Sequence, residues 1–496
     1  MPANMSENVS LEAPRAEIAA DPREAYRAHR IQHWDYVARN GDKWRSGNRH
    51  YHRQLAHVFD NLVPPGQRVL EIGCGQGDLL AALKPSYGVG IDFSPEMLAS
   101  ARRKHPELTF LHADAHDLTP DALGGETFDV IILSDLVNDV WDVETIFRRL
   151  RDFATPYTRV ILNYYSRVWA PLLALTEKLG LSSPKLAQNW LVPEDVNTLL
   201  YLAGFETLRN QAEILWPLPI RPLSALFNRW LAKLWPFRYF ALTNITLARP
   251  IPDSHVKEAP IVSVVVPARN EAGNIAEIIR RTPEIGGGTE LIFVEGNSTD
   301  DTFITIQREV AKSRRDIKVF QQTGKGKGDA VRLGFAQATG QVLMILDADI
   351  TVPPEDLPKF YEALVSGKGD FINGVRLVYP MHEEAMRTFN FLGNKFFSLA
   401  FSWLLRQPIK DTLCGTKVLW KKDYEAIAAN RAYFGDFDPF GDFDLLFGAA
   451  RLNRKIVDLP VRYGARTYGE TNIQRWKHGV LLLRMAAFAA LRVKFT

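Results

Sequence analysis

Apolar runs alternate with helical patterns along two separate stretches of the chain. In the first, between residues 68 and 165, the runs are "RVLEIG", "YGVGID", "LTFLHAD", "FDVIILSD" and "RVILNYY". From residue 261 the rhythm starts again with "IVSVVVPARN", "ELIFVEGNS", "IKVFQQT", "QVLMILDAD" and "FINGVRLV". This alternation predicts βαβ units and parallel sheets. We therefore expect two doubly wound α/β domains, separated by the proline-rich and charged linker at 251–260.

Bulk composition supports two ordinary globular domains. The chain has 496 residues, 46% of them hydrophobic and 24% charged, with a net charge of +3. Such a near balance gives no sign of a nucleic-acid partner. The two cysteines, Cys74 and Cys414, form no CxxC or Cys/His cluster, which argues against a disulfide framework or structural zinc and favours a reducing cytoplasm. Residues 1–45 lack a signal-type apolar core and are expected to be an arm.

Two apolar stretches near the C-terminus raise the question of membrane contact. They are "FNFLGNKFFSLAFSWLL" at 389–405 and "GVLLLRMAAFAALRVKF" at 479–495, each interrupted by basic residues. Their length and charges favour amphipathic helices in a headgroup layer over spanning helices. The second continues to the end as a helix at 476–496. Packing into a protein core is the alternative.

A glycine motif in the first domain predicts a ligand site. "VLEIGCGQGDLLAAL" at 69–83 runs from strand to helix, and Gly73, Gly75 and Gly77 let the backbone turn and approach a ligand. The next strand ends at Asp92, where a carboxylate can accept hydrogen bonds from ribose hydroxyls, and the third ends near Asp114, which can accept one from an adenine amine. The pattern indicates an adenosine site, although glycine turns also serve dinucleotides.

With these motifs, residues 68–165 resemble a class I S-adenosylmethionine-dependent methyltransferase. The resemblance implies that Glu71 orients the methionine amine of S-adenosylmethionine, that Asp92 holds the ribose and that Asp114 contacts adenine. It also implies that the helix around "NRHYHRQL" covers the cofactor, with Tyr51 reaching its carboxylate. The domain is expected to span 46–250, with a helical lid inserted at 167–240.

The second half carries acidic and basic residues at strand ends. "QQTGKGKGDAVRLG" places Lys325 and Lys327 among glycines, in a flexible basic loop suited to a diphosphate. The strand "VLMILDAD" ends in Asp347 and Asp349, which can offer oxygen ligands to one hard cation. Together these features predict a metal-assisted diphosphate site.

In this order the motifs resemble family 2 glycosyltransferases of the GT-A fold over 261–475, above all those that transfer a sugar to polyprenyl or dolichyl phosphate. The resemblance implies a DxD pair, Asp347 and Asp349, that binds Mg²⁺ or Mn²⁺. Thr351 replaces a glutamine of many relatives, which leaves a third protein ligand open. The nucleoside and phosphate contacts that the resemblance implies are Pro267, Arg269, Glu271, Glu295, Arg376 and Arg466.

The repeat "FGDFDPFGDFDLL" at 434–446 supplies candidates for acid–base chemistry. By resemblance, Asp442 and Asp444 occupy the place of an acidic pair beside the sugar, and Asp411 lies near the acceptor. A hydroxyl acceptor needs a base within hydrogen-bond reach. A phosphate acceptor needs none, and Asp442 would then be a helix N-cap. Asp436 and Asp438 are expected in a loop.

The combined expectation is a bifunctional enzyme on the cytoplasmic face of a membrane, in peripheral contact with it. It would transfer a methyl group and, with inversion, a sugar from a UDP- or GDP-sugar to a polyprenyl-phosphate or other lipid-linked or glycan acceptor. Two alternatives stay open. One is a non-catalytic S-adenosylmethionine-binding scaffold fused to an active glycosyltransferase, and the other is a polysaccharide synthase.

Overall fold

A computed structural model describes residues 21–40, 45–178, 186–252, 258–376, 388–431, 441–464, 466, 468 and 475–495. Asp436 and Asp438 lie outside these residues. In the described part, the strands form two separate seven-stranded sheets. Both predicted α/β patterns thus correspond to sheets.

The first sheet has the strand order β3-β2-β1-β4-β5-β7-β6. Its strands are β1 (Arg68–Ile72), β2 (Tyr87–Asp92), β3 (Thr109–His112), β4 (Phe128–Ser134), β5 (Ala154–Tyr165), β6 (Phe205–Glu213) and β7 (Thr243–Pro250). The first five pair in parallel, and β7 lies antiparallel between β5 and β6. Alternate residues of β4 pack on opposite faces, Val130 in one apolar cluster and Ile131 in the other, as expected for a strand covered on both sides.

The helices of this half are α1 (Pro22–Asn40), α2 (Arg45–Leu62), α3 (Asp78–Ala82), α4 (Pro95–Lys104), α5 (Val143–Leu150), α6 (Ala170–Lys178), α7 (Pro193–Leu202) and α8 (Arg221–Ser224). Two expectations need correction. The arm contains α1, whose Arg30 is buried against the domain. The lid at 167–240 includes α7 and β6, which belong to the sheet and its core, because Val196, Leu200 and Phe205 are fully buried there.

The second sheet has the order β10-β9-β8-β11-β13-β12-β14. Its strands are β8 (Val262–Ala268), β9 (Thr289–Glu295), β10 (Ile317–Gln321), β11 (Val342–Ile345), β12 (Phe371–Val375), β13 (Lys417–Trp420) and β14 (Ile456–Pro460). The strand β13 is antiparallel to both neighbours. The helices are α9 (Ile275–Arg281), α10 (Thr302–Lys312), α11 (Lys327–Gln337), α12 (Leu357–Val365), α13 (Thr388–Leu405), α14 (Lys421–Ala429), α15 (Asp442–Arg451) and α16 (Arg475–Ala489).

A buried ionic network joins the two halves. Asp370, just before β12, accepts hydrogen bonds from Arg159 of β5 at 2.6 Å and Arg249 of β7 at 2.7 Å. All three residues are at most 4% exposed. Burial raises the pKa of Asp370, but the two guanidiniums outweigh it and hold that pKa below its usual value. Beside it, Asn453 donates to the carbonyl of Leu62 at 2.6 Å. The domains therefore share a polar interface that depends on both.

The two apolar C-terminal stretches form α13 and α16. Within the described residues, neither these nor any other helix is long and apolar enough to cross a membrane. Both helices have a buried and an exposed apolar side: Phe401 and Met485 are in the core, while Phe396 and Leu483 are more than half exposed. Each helix therefore packs one face into the core and leaves other apolar side chains exposed among the described residues, and membrane contact stays a prediction.

Candidate active sites

The glycine motif of the first domain forms the predicted turn between β1 and α3. Gly73, Gly75 and Gly77 all have positive φ, at 75°, 51° and 76°. A side chain at Gly73 would collide with Leu136, whereas the space beside Gly75 is open. Only glycine takes this conformation without strain. The open backbone at Gly75 is where a ligand can approach the chain.

Two carboxylates beside this turn are held by backbone amides. Asp92 accepts hydrogen bonds from the amides of Gly75 and Ser94, both at 2.8 Å. Glu71 accepts one from the amide of Leu80 at 3.2 Å and is 2% exposed. Burial raises the pKa of Glu71 to about 8 and also raises the pKa of Asp92. An ammonium and a sulfonium are cations, so these two acids fit a cationic ligand such as S-adenosylmethionine.

Helix α1 covers the carboxyl ends of the strands. Its Arg27 lies 3.1 Å from Asp114, and its Asp35 accepts a hydrogen bond from Ser94 at 2.5 Å. Asp114 also accepts from the ring of His116 at 2.8 Å. Burial raises the pKa of Asp114, but His116 and Arg27 outweigh it and lower the net value. The acid expected on adenine is therefore already paired with two basic side chains.

Sequence reasoning missed Asp135, which follows β4 with a φ of 54°. The hydroxyl of Tyr51 donates to it at 3.1 Å, and the amide of Asn163 donates at 2.5 Å. Tyr51 also lies 3.2 Å from the hydroxyl of Thr243, so its hydroxyl, expected on the cofactor carboxylate, is engaged within the chain. The signal was available, since Asp135 ends the quoted run "FDVIILSD" at the ligand-facing edge of a parallel sheet.

The DxD pair of the second domain lies beyond β11, and each acid has a basic partner. Asp347 contacts the ammonium of Lys327 at 2.5 Å, and Asp349 contacts Arg466 at 2.8 Å. Burial raises the pKa of Asp347, but Lys327 outweighs it and lowers the net value. Lys327 was expected in a flexible loop; instead it begins α11, because Gly326 with a φ of 87° ends the turn, while Lys325 is exposed. The Asp347–Lys327 pair lies beside Gly415, where a side chain would clash with both residues.

The donor set of this site suits a divalent cation. Mg²⁺ is commonly bound by one or two carboxylates together with substrate phosphates and water. Asp347 and Asp349 supply such carboxylates, and the described residues hold no cluster of three or more histidines, cysteines or acids. Thr351 donates its hydroxyl to Asp349 at 2.7 Å, so it orients that acid. The residues fit a cation that is completed by a diphosphate.

The remaining nucleotide candidates surround the ends of β8 and β9. Arg466 bridges from Asp349 to Glu271 at 3.4 Å, and burial raises the pKa of Glu271 to about 7. Glu295, 1% exposed, accepts from the amide of Ser298 at 2.6 Å and from Gln321 at 3.0 Å. Pro267 is the penultimate residue of β8, and Arg269 beyond it is exposed.

Arg376 and Asp411 form a closed pair. The guanidinium donates to both carboxylate oxygens, at 2.7 and 2.8 Å, and Asp411 is 1% exposed. Burial raises the pKa of Asp411, but Arg376 outweighs it and lowers the net value. Bidentate pairing fixes the plane of the guanidinium. This geometry fits Asp411 as the residue that orients Arg376 better than as a base.

Asp442 and Asp444 begin α15 but face different partners, because residues two apart on a helix point about 200° apart. Asp442 is 4% exposed and lies 3.7 Å from the ammonium of Lys417, which is fully buried. Its Oδ1 has no hydrogen-bond partner among the described residues. Asp444 pairs with Arg431 at 2.9 Å. The N-cap expectation for Asp442 is wrong, since Gly441, with a φ of 73°, takes the cap position.

Both halves thus combine an open α/β sheet with acids at the carboxyl ends of its strands, where ligands bind in such sheets. Comparison with family models agrees. Residues 69–156 match the methyltransferase domain model, and residues 263–426 match glycosyl transferase family 2. The chain therefore contains a methyltransferase domain and a family 2 glycosyltransferase domain.

Curated relatives match the second half. A dolichol-phosphate mannosyltransferase of Pyrococcus furiosus is 30% identical over 220 residues, which cover 43% of this chain and 59% of the relative. One of Saccharomyces cerevisiae is 38% identical over 108 residues, 21% of this chain and 40% of the relative. An undecaprenyl-phosphate 4-deoxy-4-formamido-L-arabinose transferase of Pseudomonas aeruginosa is 32% identical over 124 residues, which cover 23% of this chain and 35% of the relative. The chain thus spans less than two thirds of the length of these relatives.

Solved structures match each half at low identity. A SAM-dependent methyltransferase of Thermotoga maritima has a TM-score of 0.35 at 16% identity, covering 44% of this chain and 98% of that one. The glucosyl-3-phosphoglycerate synthase of Mycobacterium tuberculosis, in complex with Mn²⁺ and UDP, has a TM-score of 0.35 at 20% identity. The match covers 47% of this chain and 80% of that one.

Proposed function

We propose that the chain is a bifunctional transferase. Its first domain transfers a methyl group from S-adenosylmethionine, and its second transfers a sugar, with inversion, from a UDP- or GDP-sugar to a polyprenyl-phosphate or other lipid-linked or glycan acceptor. The names of the relatives support the acceptor class, since all three carry dolichol phosphate or undecaprenyl phosphate in their names. Exposed apolar residues on α13 and α16 support peripheral contact with the cytoplasmic face of a membrane.

The observation that carries the sugar-transfer proposal is the grouping of two acids around Lys327. Its ammonium contacts Asp347 at 2.5 Å beside Gly415, and the charge of Asp442 also acts on it. A divalent cation bound by Asp347 and Asp349 would neutralise charge on the leaving diphosphate. Lys327 and Arg376 each have a carboxylate partner now and can share their hydrogen bonds with phosphate oxygens. The chain itself thus supplies the positive charge that a departing diphosphate needs.

Asp442 is our candidate for the acceptor side of this reaction. Its buried Oδ1 has capacity to accept a proton or a hydrogen bond. For a hydroxyl acceptor, the lone pair of the hydroxyl oxygen attacks the anomeric carbon, its proton passes to Asp442 and the diphosphate leaves. We expect Asp442→Asn to lower kcat about a hundredfold or more for such an acceptor. With a phosphate acceptor kcat should fall far less, and the ratio between acceptors measures the role.

In the first domain, S-adenosylmethionine brings an electrophilic methyl group on a sulfonium. Transfer is an in-line displacement, to which positioning alone can contribute much. The turn at Gly73, Gly75 and Gly77 and the acids Glu71 and Asp92 hold the donor in this proposal. Asp135, with Tyr51 and Asn163 bound to it, lies at the neighbouring strand end, where an acceptor would approach.

A second candidate function has a specific observation in its favour. Asp114 is paired with Arg27 and His116, and α1 covers this edge of the sheet. If those contacts persist, Asp114 does not contact adenine and the methyl donor is bound without being positioned for transfer. The first domain then acts as an S-adenosylmethionine-binding scaffold for the glycosyltransferase.

A thermal-shift panel with S-adenosylmethionine, UDP-sugars and GDP-sugars, each with and without Mn²⁺, tests ligand binding, since ligands that bind the native state raise its melting temperature. We expect S-adenosylmethionine to act independently of Mn²⁺ and one class of sugar nucleotide to act only with it. Transfer of labelled methyl and sugar groups to a membrane lipid extract then tests turnover. Methyl-donor binding without methyl transfer would favour the scaffold, and a sugar-nucleotide shift indifferent to Mn²⁺ would contradict the metal assignment.

A further inference from the structure

A cavity of about 50 Å³ lies between the two domains, outside both candidate sites. Its charged lining comes from both halves: Arg209, Glu213, Lys233, Arg406, Arg451 and Arg492. One wall is the last turn of α15, whose other end carries Asp442, so the cavity lies about 14 Å along that helix from the proposed acceptor site. It belongs to the fused chain rather than to either domain alone.

The lining is strongly cationic. Five of its six charged residues are basic, and Glu213 is the one carboxylate among the described residues that line it. Lys233 and Arg406 both contact Glu213, the latter at 3.2 Å. Lys494, next to the lining residue Val493, adds a buried amine that donates to the carbonyl of Trp403 at 2.9 Å. One negative charge therefore faces several positive ones.

Arg209 is only partly satisfied, although its Nη2 donates to Asn453 at 2.6 Å. The Nε of Arg209 is a donor that is buried without a hydrogen-bond partner among the described residues. Burial, with Arg406 and Arg451 nearby, lowers the pKa of Arg209 to about 9, and burial lowers the pKa of Arg406 to about 10. Buried cations destabilise a fold unless an anion pairs with them. The excess of basic over acidic side chains around the cavity therefore favours the binding of an anion.

We propose that this interdomain cavity binds a phosphate-bearing anion, held by Arg209, Lys233 and Arg406. The fit in size supports it: a water needs roughly 10–15 Å³ of such space, so the cavity has room for several oxygen-sized groups. Guanidiniums suit phosphate oxygens because their N–H groups form a fork. The remaining oxygens would face Arg492, which is exposed and marks the mouth.

Two sources share this chemistry, a free phosphate or diphosphate and the headgroup of an anionic lipid. The surroundings of the mouth suit a lipid. Phe495 stacks on Trp230 of the first domain and meets Trp403 of the second, with ring centres 4.6 and 5.7 Å apart. Both tryptophans are more than a third exposed. Aromatic rings beside a cationic cavity are the arrangement found at membrane interfaces.

The test compares the full chain with its Arg209→Met and Arg406→Met variants. Lys312→Met, which removes an exposed lysine of α10, is the matched control. In one arm, inorganic phosphate and pyrophosphate are titrated in calorimetry and thermal shift. In the other, flotation measures binding to phosphatidylcholine vesicles with and without phosphatidic acid. Neither arm requires transferase activity, so the result is independent of the proposed function.

We expect wild type and the Lys312 control to bind alike, and each cavity variant to lose about tenfold in affinity. The ligand-free cavity variants should melt no lower than wild type, because charge crowding is relieved; a purely structural arginine would give the opposite sign. Pyrophosphate binding that depends on Arg209 and Arg406 identifies a soluble anion, and dependence seen only with phosphatidic acid identifies a lipid headgroup.

Hydrogen exchange of wild-type β6 provides a readout that needs no variant. The amides of 205–213 should be protected by pyrophosphate or by phosphatidic acid vesicles. No protection in either arm, or binding equal in all variants, would overturn the proposal.

Discussion

The two candidate sites hold their acids in opposite ways. In the methyltransferase domain, Glu71 and Asp92 receive hydrogen bonds from backbone amides, and burial raises the pKa of both. In the glycosyltransferase domain, Asp347 and Asp411 are paired with Lys327 and Arg376, which hold the pKa of each acid low. Among the described residues, neither acid of the first site is paired with a lysine or arginine, and the site suits a cationic ligand. The second is balanced and suits a ligand that brings an anion and a cation together.

The largest effect is expected from removing a paired acid of the glycosyltransferase site. Asp347→Asn removes the negative charge that faces Lys327, so we expect sugar transfer to fall about a thousandfold, since an electrostatic clamp on a leaving group contributes several kcal/mol. Thermal shift should show that the response to Mn²⁺ with sugar nucleotide is lost while the response to S-adenosylmethionine persists. Asp356→Asn, at a surface pair with Lys359, is the control and should change neither. A full Mn²⁺ response in the Asp347 variant would show that the acid binds no metal.

The next largest effect concerns how stability depends on pH through Glu71, the buried acid of the methyltransferase site. Its pKa of about 8 in the folded chain exceeds the unfolded value of 4.5, so the folded state binds the extra proton and stability falls as pH rises between these values. We expect Glu71→Gln to stabilise the ligand-free domain by about 2–4 kcal/mol at pH 9 and hardly at all at pH 4. Urea unfolding at several pH values measures this.

The same variant should bind S-adenosylmethionine more weakly, because a neutral amide cannot balance an ammonium. Glu107→Gln, at a largely exposed acid, should be silent in both measurements. A Glu71 variant that lost stability at pH 9 would mean that the carboxylate is needed by the ligand-free fold, and the comparison between the sites would fail.

A smaller effect is expected at Asp92. Asn in its place keeps one acceptor oxygen but loses the charge, so we expect S-adenosylmethionine affinity to fall by about 1.5–3 kcal/mol, the range for a hydrogen bond to a charged group. Calorimetry compares it with Asp121→Asn, an exposed acid of the same domain. Unchanged affinity would remove Asp92 from the ribose contact.

Particular residues show how far the sequence led. The ends of parallel strands meet at one edge, so the placement of Asp92, Asp347 and Asp349 was predictable from apolar runs and their flanking residues. The presence of two separate α/β sheets was predictable from the same apolar runs. Local geometry was harder: Asp442 read as an N-cap because aspartate favours that position, yet Gly441 takes it by adopting a left-handed conformation.

Long-range pairing was not predictable at all. Lys327 read as a phosphate ligand because it follows glycines, and only the fold shows that Asp347 is its present partner. The interdomain cavity is a stronger case. Arg209 and Arg406 lie far apart in sequence, and neither stands in a motif, so their meeting depends on how two sheets dock.

The smallest expected effect concerns the interdomain cavity. It tests whether burial shifts the pKa of a buried base there, as it shifts the pKa of the buried acid Glu71 in the methyltransferase site. Burial, with Arg406, Arg209 and Arg238 nearby, lowers the pKa of Lys494 to about 6, so this amine is mostly neutral in the ligand-free chain at pH 7.5. Because the unfolded value is 10.5, the unfolded state holds the proton over this range and stability rises with pH from about 6 upward. An anion in the cavity would raise the pKa of Lys494. We therefore expect pyrophosphate binding at pH 7.5 to take up a fraction of one proton, seen as a dependence of the binding heat on buffer ionisation heat.

The control is Lys494→Met, which should abolish the proton uptake that wild type shows beyond the titration of pyrophosphate itself. At pH 5, where the amine is already charged, the two chains should agree. Equal uptake in both chains at pH 7.5 would place the anion away from Lys494.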